Sequence, residues 1–378
     1  MKIAILGSTG SIGNSSIEVI EKYSDRYRII GLAAGSNSTL LLEQIEKFKP
    51  EAVSISDEAE VSALKACPDT AVFSGIDGAC KVASLPDADM VIAAISGSAG
   101  LLPTLAAVQA GKTVALANKE SLVMAGELMI SEAKKNGSVI IPIDSEHSAI
   151  YQLFENTKIE NIKNIILTAS GGPFLQTSLK DLEKVTPEEA LKHPRWKMGN
   201  KVTIDSASMM NKGLEVIEAH FLFGLPPDKI KVVVHPQSIV HSMVEFVDGT
   251  VFAQLSYPDM KAPIAYALSC PDRLDDIVKP LSFAEIGSLT FEDPDVEKFP
   301  ALKLAYRALE AGGLMPVVLN SANEVAVQRF CDGGIGFTDI PKLIEQVMDV
   351  FDNKMEMSLE NIIEADKWAK AIAVKSKV

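Results

Sequence analysis

The chain has 378 residues, 47% apolar and 23% charged, with a formal net charge of −14. That length exceeds what one hydrophobic core ordinarily serves, so two or three domains are expected. The acidic balance argues against sequence-independent nucleic-acid binding, which needs a basic surface. No apolar run has the length of a bilayer-crossing helix, so no membrane partner is expected.

The acidic balance still leaves room for a phosphorylated small molecule, which a few local cations and backbone N–H groups can hold. Cys67, Cys80, Cys270 and Cys331 form no CxxC pair and no metal-ligand spacing, as expected of reduced structural thiols. The opening MKIAILG has too short an apolar run for a signal peptide and meets a glycine turn at once, so it reads as a first strand. A cytoplasmic protein, or a mature form, is the expectation.

In chain order, short apolar runs at Lys2–Leu6, Tyr27–Ala33, Ala52–Ile55, Met90–Ile95, Thr113–Ala117 and Val139–Ile143 alternate with amphipathic stretches such as Ser16–Tyr23, Thr39–Phe48 and Leu101–Ala110. That alternation predicts an α/β, doubly wound parallel sheet over 1–145 whose strands are covered on both faces. A central α+β region is predicted over 146–285. It holds a strand at 165–168, an irregular and lid-like segment at about 171–200, a helix at 206–223, and strands at Lys231–Val234 and Ser238–Val247. Asp248-Gly249 is a hairpin turn signal leading into Thr250–Leu255. Residues 286–296 read as a linker, and 297–378 as a helical C-terminal domain with helices at 297–311, 320–331, 338–352 and 358–374.

Gly7-Ser-Thr-Gly10-Ser-Ile-Gly13 follows the first strand and opens the first helix. Small residues let backbone approach a pyrophosphate, and a helix N-terminus presents free N–H groups with a positive dipole end. The spacing is GxxGxxG. The second strand ends at Ala34-Gly35-Ser36-Asn37 with no Asp or Glu to read a ribose 2′-hydroxyl, and Ser36 and Asn37 can hydrogen-bond a 2′-phosphate, which favours NADPH over NADH. Ala117-Asn118-Lys119-Glu120 closes another strand at the carboxyl edge, where ligands bind.

Asp144 and Glu146 are two apart at the end of a strand, so both carboxylates are expected on one side of it. Like charges so placed are costly unless a cation joins them, and oxygen ligands suit Mg²⁺ or Mn²⁺. Ser206 is expected to cap a helix on which Asn211, Lys212 and Glu215 share a face. That pattern fits a phosphate site with a further metal carboxylate, or an ordinary capped helix with an ion pair. Trp196, beside His193 and Met198, fits either loop packing or a cover over a small ligand. For His235 and His241 a hydrogen-bonding role in the core weighs at least as much as catalysis.

These motifs together resemble the 1-deoxy-D-xylulose 5-phosphate reductoisomerase family along essentially the whole chain. The stretches that carry the resemblance are GSTGSIG at 7–13, LANKES at 116–121, PIDSEHSA at 142–149, LTASGGPF at 167–174, HPRWKMG at 193–199, DSASMMNKGLE at 205–215, HPQSIVHSMV at 235–244, YPDM at 257–260 and LNSANEVAV at 319–327.

The resemblance implies a Rossmann-like N-terminal domain that binds NADPH, a central catalytic domain and a helical C-terminal domain. It implies Asp144, Glu146 and Glu215 as ligands of Mg²⁺ or Mn²⁺, with Co²⁺ a further option. It implies substrate contacts at Ser145, Glu146, Ser170, His193, Trp196, Met198, Ser206, Asn211, Lys212 and Glu215. Cofactor contacts are implied at Gly7, Ser8, Thr9, Gly10, Ser11, Ile12, Gly35, Ser36, Asn37, Asn118, Lys119, Glu120, Gly199 and Met260, with Met260 near the nicotinamide. Glu146, Lys119 and His193 are the implied catalytic groups.

The implied reaction is retro-aldol cleavage and aldol recombination of a ketose phosphate, followed by reduction with NADPH to 2-C-methyl-D-erythritol 4-phosphate in the non-mevalonate isoprenoid pathway. The family also implies a homodimer. Two departures stand out. Ser36 occupies a position where some members carry Lys or Arg, and Ser208 replaces a commoner Thr. Two rival readings stand beside this one. A semialdehyde dehydrogenase or similar NADP-dependent aldehyde enzyme would need an activated Cys, and no Cys here has a local His partner. A non-catalytic NADP-binding sensor would have no use for the carboxylates.

Overall fold

The apolar runs at the start of the chain become strands buried on both faces. The computed structural model describes residues 1–64, 69–155, 157–192, 196 and 199–378. These divide into two compact units, the first made of Met1–Leu122, Met129–Ser148 and Asp259–Lys279, the second of Val123–Leu128, Ala149–Pro258 and Pro280–Val378.

In the first unit the strands are β1 (Lys2–Leu6), β2 (Arg28–Ala34), β3 (Ala52–Ile55), β4 (Ala71–Ser74), β5 (Met90–Ala93), β6 (Thr113–Leu116) and β7 (Ile140–Pro142). They form one sheet in the order β4-β3-β2-β1-β5-β6-β7, with every pairing parallel. β3 and β5 are buried at every position, which is why they read as unbroken apolar runs. β4 is a strand the sequence did not announce: it is a four-residue edge strand with no fully buried position, so it leaves no apolar run to read. Strand order reverses at β1, so the crevice outside the carboxyl ends of β1 and β5 is the place where a sheet of this kind binds ligands.

Residues 259–279, grouped by sequence texture with the central region, pack into this first unit. The helix Lys261–Ser269 lies on the helix Ser11–Lys22, tied by Lys261 to Glu18 at 3.0 Å. The Tyr27 hydroxyl donates to the Leu268 carbonyl at 3.1 Å, and Lys22 to that of Asp276 at 2.6 Å.

The second unit holds β8 (Ile162–Ala169), β9 (Ile230–Val234), β10 (Val240–Phe246) and β11 (Val251–Leu255) in the order β11-β10-β8-β9. β8 and β9 are parallel and the other pairings antiparallel. The Asp248-Gly249 turn joins β10 to β11, with Gly249 at φ +87°. The single helix expected over 206–223 is two helices, Asn200–Ala207 and Met210–Phe223, broken at Met209, which takes the left-handed conformation at φ +64°.

Four C-terminal helices, Ala301–Ala311, Met315–Cys331, Asp339–Asp349 and Leu359–Lys375, lie close to their expected positions. They do not build a core of their own. Leu302, Val318 and Phe330 share one buried cluster with Ile165 of β8 and with Leu214 and Ile217. At about 1.5–3 kcal/mol for each large apolar side chain buried, that shared cluster binds the C-terminal helices to the sheet. Gly213 shows how close the packing is: a Cβ there would stand 2.7 Å from that of Ala305. Among the described residues no helix is long and apolar enough to cross a membrane.

Candidate active site

The glycine loop after β1 is shaped by contacts that admit no side chain. Gly7 sits at φ +85°, and a Cβ on it would fall 2.4 Å from the carbonyl oxygen of Ala94, just past β5. A Cβ on Gly13 would lie 2.3 Å from the oxygen of Gly7 and 2.5 Å from that of Ser8. The helix Ser11–Lys22 begins beside exposed Gly10 and Ser11 with no side-chain cap on its first N–H groups. Free N–H groups at a helix start, on a turn with no Cβ in the way, fit a pyrophosphate. Ser8 is fully buried, its carbonyl held by the Gln44 amide at 3.1 Å, so of the loop it is the side chain least able to meet a ligand.

At the end of β2, Gly35, Ser36 and Asn37 are exposed. Asn37 also caps the helix Ser38–Phe48, accepting from the Leu40 N–H at 3.1 Å, which leaves its amide NH₂ to offer elsewhere. Past β6, Asn118 is 2% exposed and works in both directions. Its oxygen caps the helix Lys119–Asn136 through the Ser121 N–H at 2.8 Å, and its NH₂ donates to the carbonyls of Ile95 at 2.5 Å and Gly97 at 2.9 Å. Asn118 therefore fixes the loop beyond β5 against the end of β6. Met260 is half-buried at the start of the helix Lys261–Ser269, in the same unit as this loop.

Lys119 and Asp144 follow β6 and β7, neighbours in a parallel sheet, so their carboxyl ends lie side by side. The Lys119 ammonium is 2.7 Å from Asp144 Oδ2, both largely buried. Asp144 and Glu146 do not share a strand face as expected. β7 stops at Pro142, the Asp144 carbonyl accepts the first helical hydrogen bond from Ser148 at 2.8 Å, and Glu146 stands in the first turn of the helix Ser145–Phe154. Acidic groups in a first turn are favoured by the helix dipole. The Ser145 hydroxyl donates to Glu146 Oε2 at 2.6 Å.

In the second unit, Glu215 is 1% exposed and Lys212 3%. Glu215 accepts on one oxygen from the Asn211 amide at 2.5 Å and on the other from the Lys212 ammonium, so a single carboxylate orients both residues. Ser206 is not a cap. It lies in the last turn of the helix Asn200–Ala207, and the next helix has no side-chain cap. The backbone two residues past Ser170 runs close to Ser206: a Cβ on Gly172, at φ +67°, would stand 2.7 Å from the Ser206 carbonyl oxygen. The Gly172 N–H donates to the Ser170 hydroxyl at 3.2 Å.

Of the lid-like segment, Trp196 lies with its ring centroid 6.3 Å from that of His241, and Gly199 is exposed ahead of the helix Asn200–Ala207. His193 and Met198 lie outside the described residues. His241 is buried and hydrogen-bonded through Nε2 to the Ser256 hydroxyl at 2.9 Å.

His235 has no exposed surface, and its Nε2 accepts from the N–H groups of Ile239 and Val240, both at 3.2 Å. Nδ1 must then carry the proton and donate to the Thr290 carbonyl at 2.8 Å. Burial holds this imidazole below its usual pKa, and a second proton would meet two N–H donors. The unfolded chain binds that proton near its ordinary pKa of about 6.5, so the stabilising difference is present above that pH and is lost as pH falls below it. Tm, followed by calorimetry, is expected to fall between pH 7 and pH 5, with a flatter dependence in His235→Gln.

Two residues of this region were not singled out from the sequence. Asp205 is buried beside Ser206, and its partner Asn323 is 118 positions away, so no local pattern pairs them.

Comparison with known proteins accounts for the arrangement. Residues 3–126 match the family model for 1-deoxy-D-xylulose 5-phosphate reductoisomerase, and residues 140–223 and 255–372 match models of the C-terminal domains of the same enzyme. The reductoisomerase of Pelodictyon phaeoclathratiforme is 53% identical, covering 99% of this chain and 98% of its own. That of Thermodesulfovibrio yellowstonii is 52% identical at the same coverage. The Zymomonas mobilis enzyme solved in complex with NADPH superposes with a TM-score of 0.93 at 44% identity, covering 99% of this chain and 98% of its own. A reductoisomerase solved with NADPH, fosmidomycin and magnesium superposes at 0.94 and 45% identity, again covering 99% and 98%. With matches of this length and identity over nearly all its residues, the chain belongs to the 1-deoxy-D-xylulose 5-phosphate reductoisomerase family.

Proposed function

We infer that this enzyme converts 1-deoxy-D-xylulose 5-phosphate to 2-C-methyl-D-erythritol 4-phosphate, with NADPH as reductant and Mg²⁺ as the divalent metal. The observation that carries the reading is the full-length match to reductoisomerases at about half identity, joined to the glycine cradle of the first unit and the Asn211-Lys212-Glu215 cluster of the second.

In the residue roles we propose, Asp144, Glu146 and Glu215 hold the metal. They offer oxygen donors only, the set that suits Mg²⁺ or Mn²⁺. When bound, the metal supplies Lewis-acid polarisation of the substrate carbonyl and NADPH supplies hydride. Lys119 orients Asp144 through their ion pair. Glu146, half-buried and tethered by Ser145, is placed to accept or return a substrate proton. Ser170, Ser206, Asn211 and Lys212 hold the phosphate, and that grip keeps fragments oriented while a carbon–carbon bond breaks and re-forms. Trp196 helps to exclude water, and Met260 lines the nicotinamide end.

The support for NADPH is physical as well as comparative. The turn admits backbone approach, and no acidic side chain closes β2. Exposed Ser36 and Asn37 favour a 2′-phosphate by hydrogen bonding alone, so preference over NADH should be weaker than an Arg would give. The test is NADPH oxidation followed at its near-ultraviolet absorbance with 1-deoxy-D-xylulose 5-phosphate, with Mg²⁺ and after chelation. Metal-dependent oxidation supports the reading; none by a folded, metal-loaded, NADPH-binding protein overturns it.

A homodimer formed along β11 is proposed with it. This edge strand of the second sheet exposes Val251 and Phe252, and exposed edges of this kind invite pairing. Sedimentation is expected to show a dimer that Phe252→Asp weakens, and a wild-type monomer at micromolar concentration would refute it.

A further inference from the structure

The turn carrying Ser206, Asn211 and Lys212 is held from behind by a buried carboxylate that the mechanism above does not use. Asp205 is 1% exposed. Its Oδ1 accepts from the Asn323 amide at 2.8 Å, and its Oδ2 pairs with Lys201 at 2.9 Å. Asn323 lies in the helix Met315–Cys331 and has no exposed surface. Its own amide oxygen has no hydrogen-bond partner among the described residues. The orientation of that amide is therefore dictated by Asp205, because the flipped form would set two acceptors face to face. Burying a carboxylate is costly unless it is paired and hydrogen-bonded, and both conditions are met here.

The backbone beside it explains what the pair achieves. Met209 holds a left-handed conformation, uncommon for a residue with a side chain, and such strain persists only where the surroundings fix it. The Asp205 carbonyl accepts from the Ser208 hydroxyl at 3.2 Å, and that hydroxyl accepts from the Met210 N–H at 3.4 Å, spanning the break between the helices. On the other side, the Gly172 backbone is pressed against Ser206.

We propose that Asp205 and Asn323 form a brace that sets this turn, making both of them positioning residues for the grip on the substrate phosphate. The proposal rests on the reading of Ser206, Asn211 and Lys212 as the phosphate site. It gives the C-terminal helix Met315–Cys331 a part in substrate binding, exerted through Asn323 without contact with the substrate.

The experiment compares steady-state kinetics and inhibition by inorganic phosphate across variants of the full chain. Asp205→Asn keeps the shape and removes the charge. It is expected to raise KM for 1-deoxy-D-xylulose 5-phosphate about tenfold and to weaken phosphate inhibition in parallel, with NADPH affinity unchanged. Asn323→Asp sets two carboxylates against each other. Its KM defect is expected to be larger at pH 8 and to shrink, relative to wild type, toward pH 5.5 as one of them takes a proton. Asn323→Ser removes the donor without adding charge and serves if Asp205→Asn does not fold.

Lys212→Ala separates the premise from the proposal. If it leaves phosphate inhibition intact, the phosphate-site reading fails and the brace with it. If it abolishes inhibition while folded Asp205→Asn and Asn323→Ser keep wild-type KM and phosphate inhibition, the brace alone is wrong. Equal loss of kcat, NADPH affinity and Tm, with no pH recovery in Asn323→Asp, would make the pair merely structural and also overturn it.

Discussion

Glu215→Gln is expected to lower kcat/KM by about a hundred- to a thousandfold, the range found when one preorganised polar group is removed from an active site. The two oxygens of Glu215 accept from two different donors, Asn211 and Lys212. Glutamine offers one acceptor and one NH₂, so one of those donors must face another donor. In either orientation of that amide Lys212 loses the negative charge that Glu215 sets against it, and removing one partner of a buried ion pair costs about 3–5 kcal/mol. The variant should therefore show a lower Tm, lost metal dependence and lost turnover together. NADPH binding, measured by fluorescence, should be retained, because the glycine loop belongs to the first unit. Near-normal turnover by Glu215→Gln would remove Glu215 from the active site.

The second large effect is expected at Gly13. A methyl group there would meet backbone oxygens of Gly7 and Ser8 at 2.3 and 2.5 Å, and backbone cannot swing aside as a flexible side chain can. Gly13→Ala should deform the loop and weaken NADPH binding by about a hundredfold, as misplacement of a binding group by about 1 Å does. Gly35→Ala is the comparison at the other end of the expected cofactor site: nothing of the protein stands within 4 Å of its Cβ, and its φ is not positive, so it tests a contact position without backbone strain. It should fold normally and bind NADPH within a few-fold of wild type. Equal affinities for the two variants, read by titration, would mean that the loop does not approach the cofactor.

How much of this was legible in the sequence depends on the range of the interactions involved. The strands of the first sheet could be read because burial on both faces writes an apolar run into each of them. β4 could not, because an edge strand without a buried position writes nothing. The acidic pair was singled out, but its setting was misjudged. Pro142 ends β7 one step earlier than the alternation suggested, and Asp144-Ser145 is better read as the start of a helix.

The break at Met209 gave no local warning, since a left-handed residue usually announces itself as Gly or Asn. Helix spacing singled out Ser206, Asn211, Lys212 and Glu215 and the resemblance implied their roles, whereas the tie from Asp205 to Asn323 exists only once the chain has folded. Texture alone also separated the C-terminal helices as a domain, although Phe330 and Val318 pack into the same cluster as Ile165 of β8.

The chain composes its first unit from pieces that are far apart in order of synthesis. Residues 259–279 complete a body whose other parts end at Ser148, and 131 residues (279 − 148) separate that end from the last residue it needs. At a translation rate of about 5–20 residues per second, the nascent first unit waits roughly 7–25 s with the helix Ser11–Lys22 lacking the segment that covers it. During that interval the side of that helix carrying Glu18 and Lys22, which pair with Lys261 and Asp276, lacks its partners. The discontinuity that lends Met260 to the first unit therefore also delays completion of that unit until most of the chain has been synthesised.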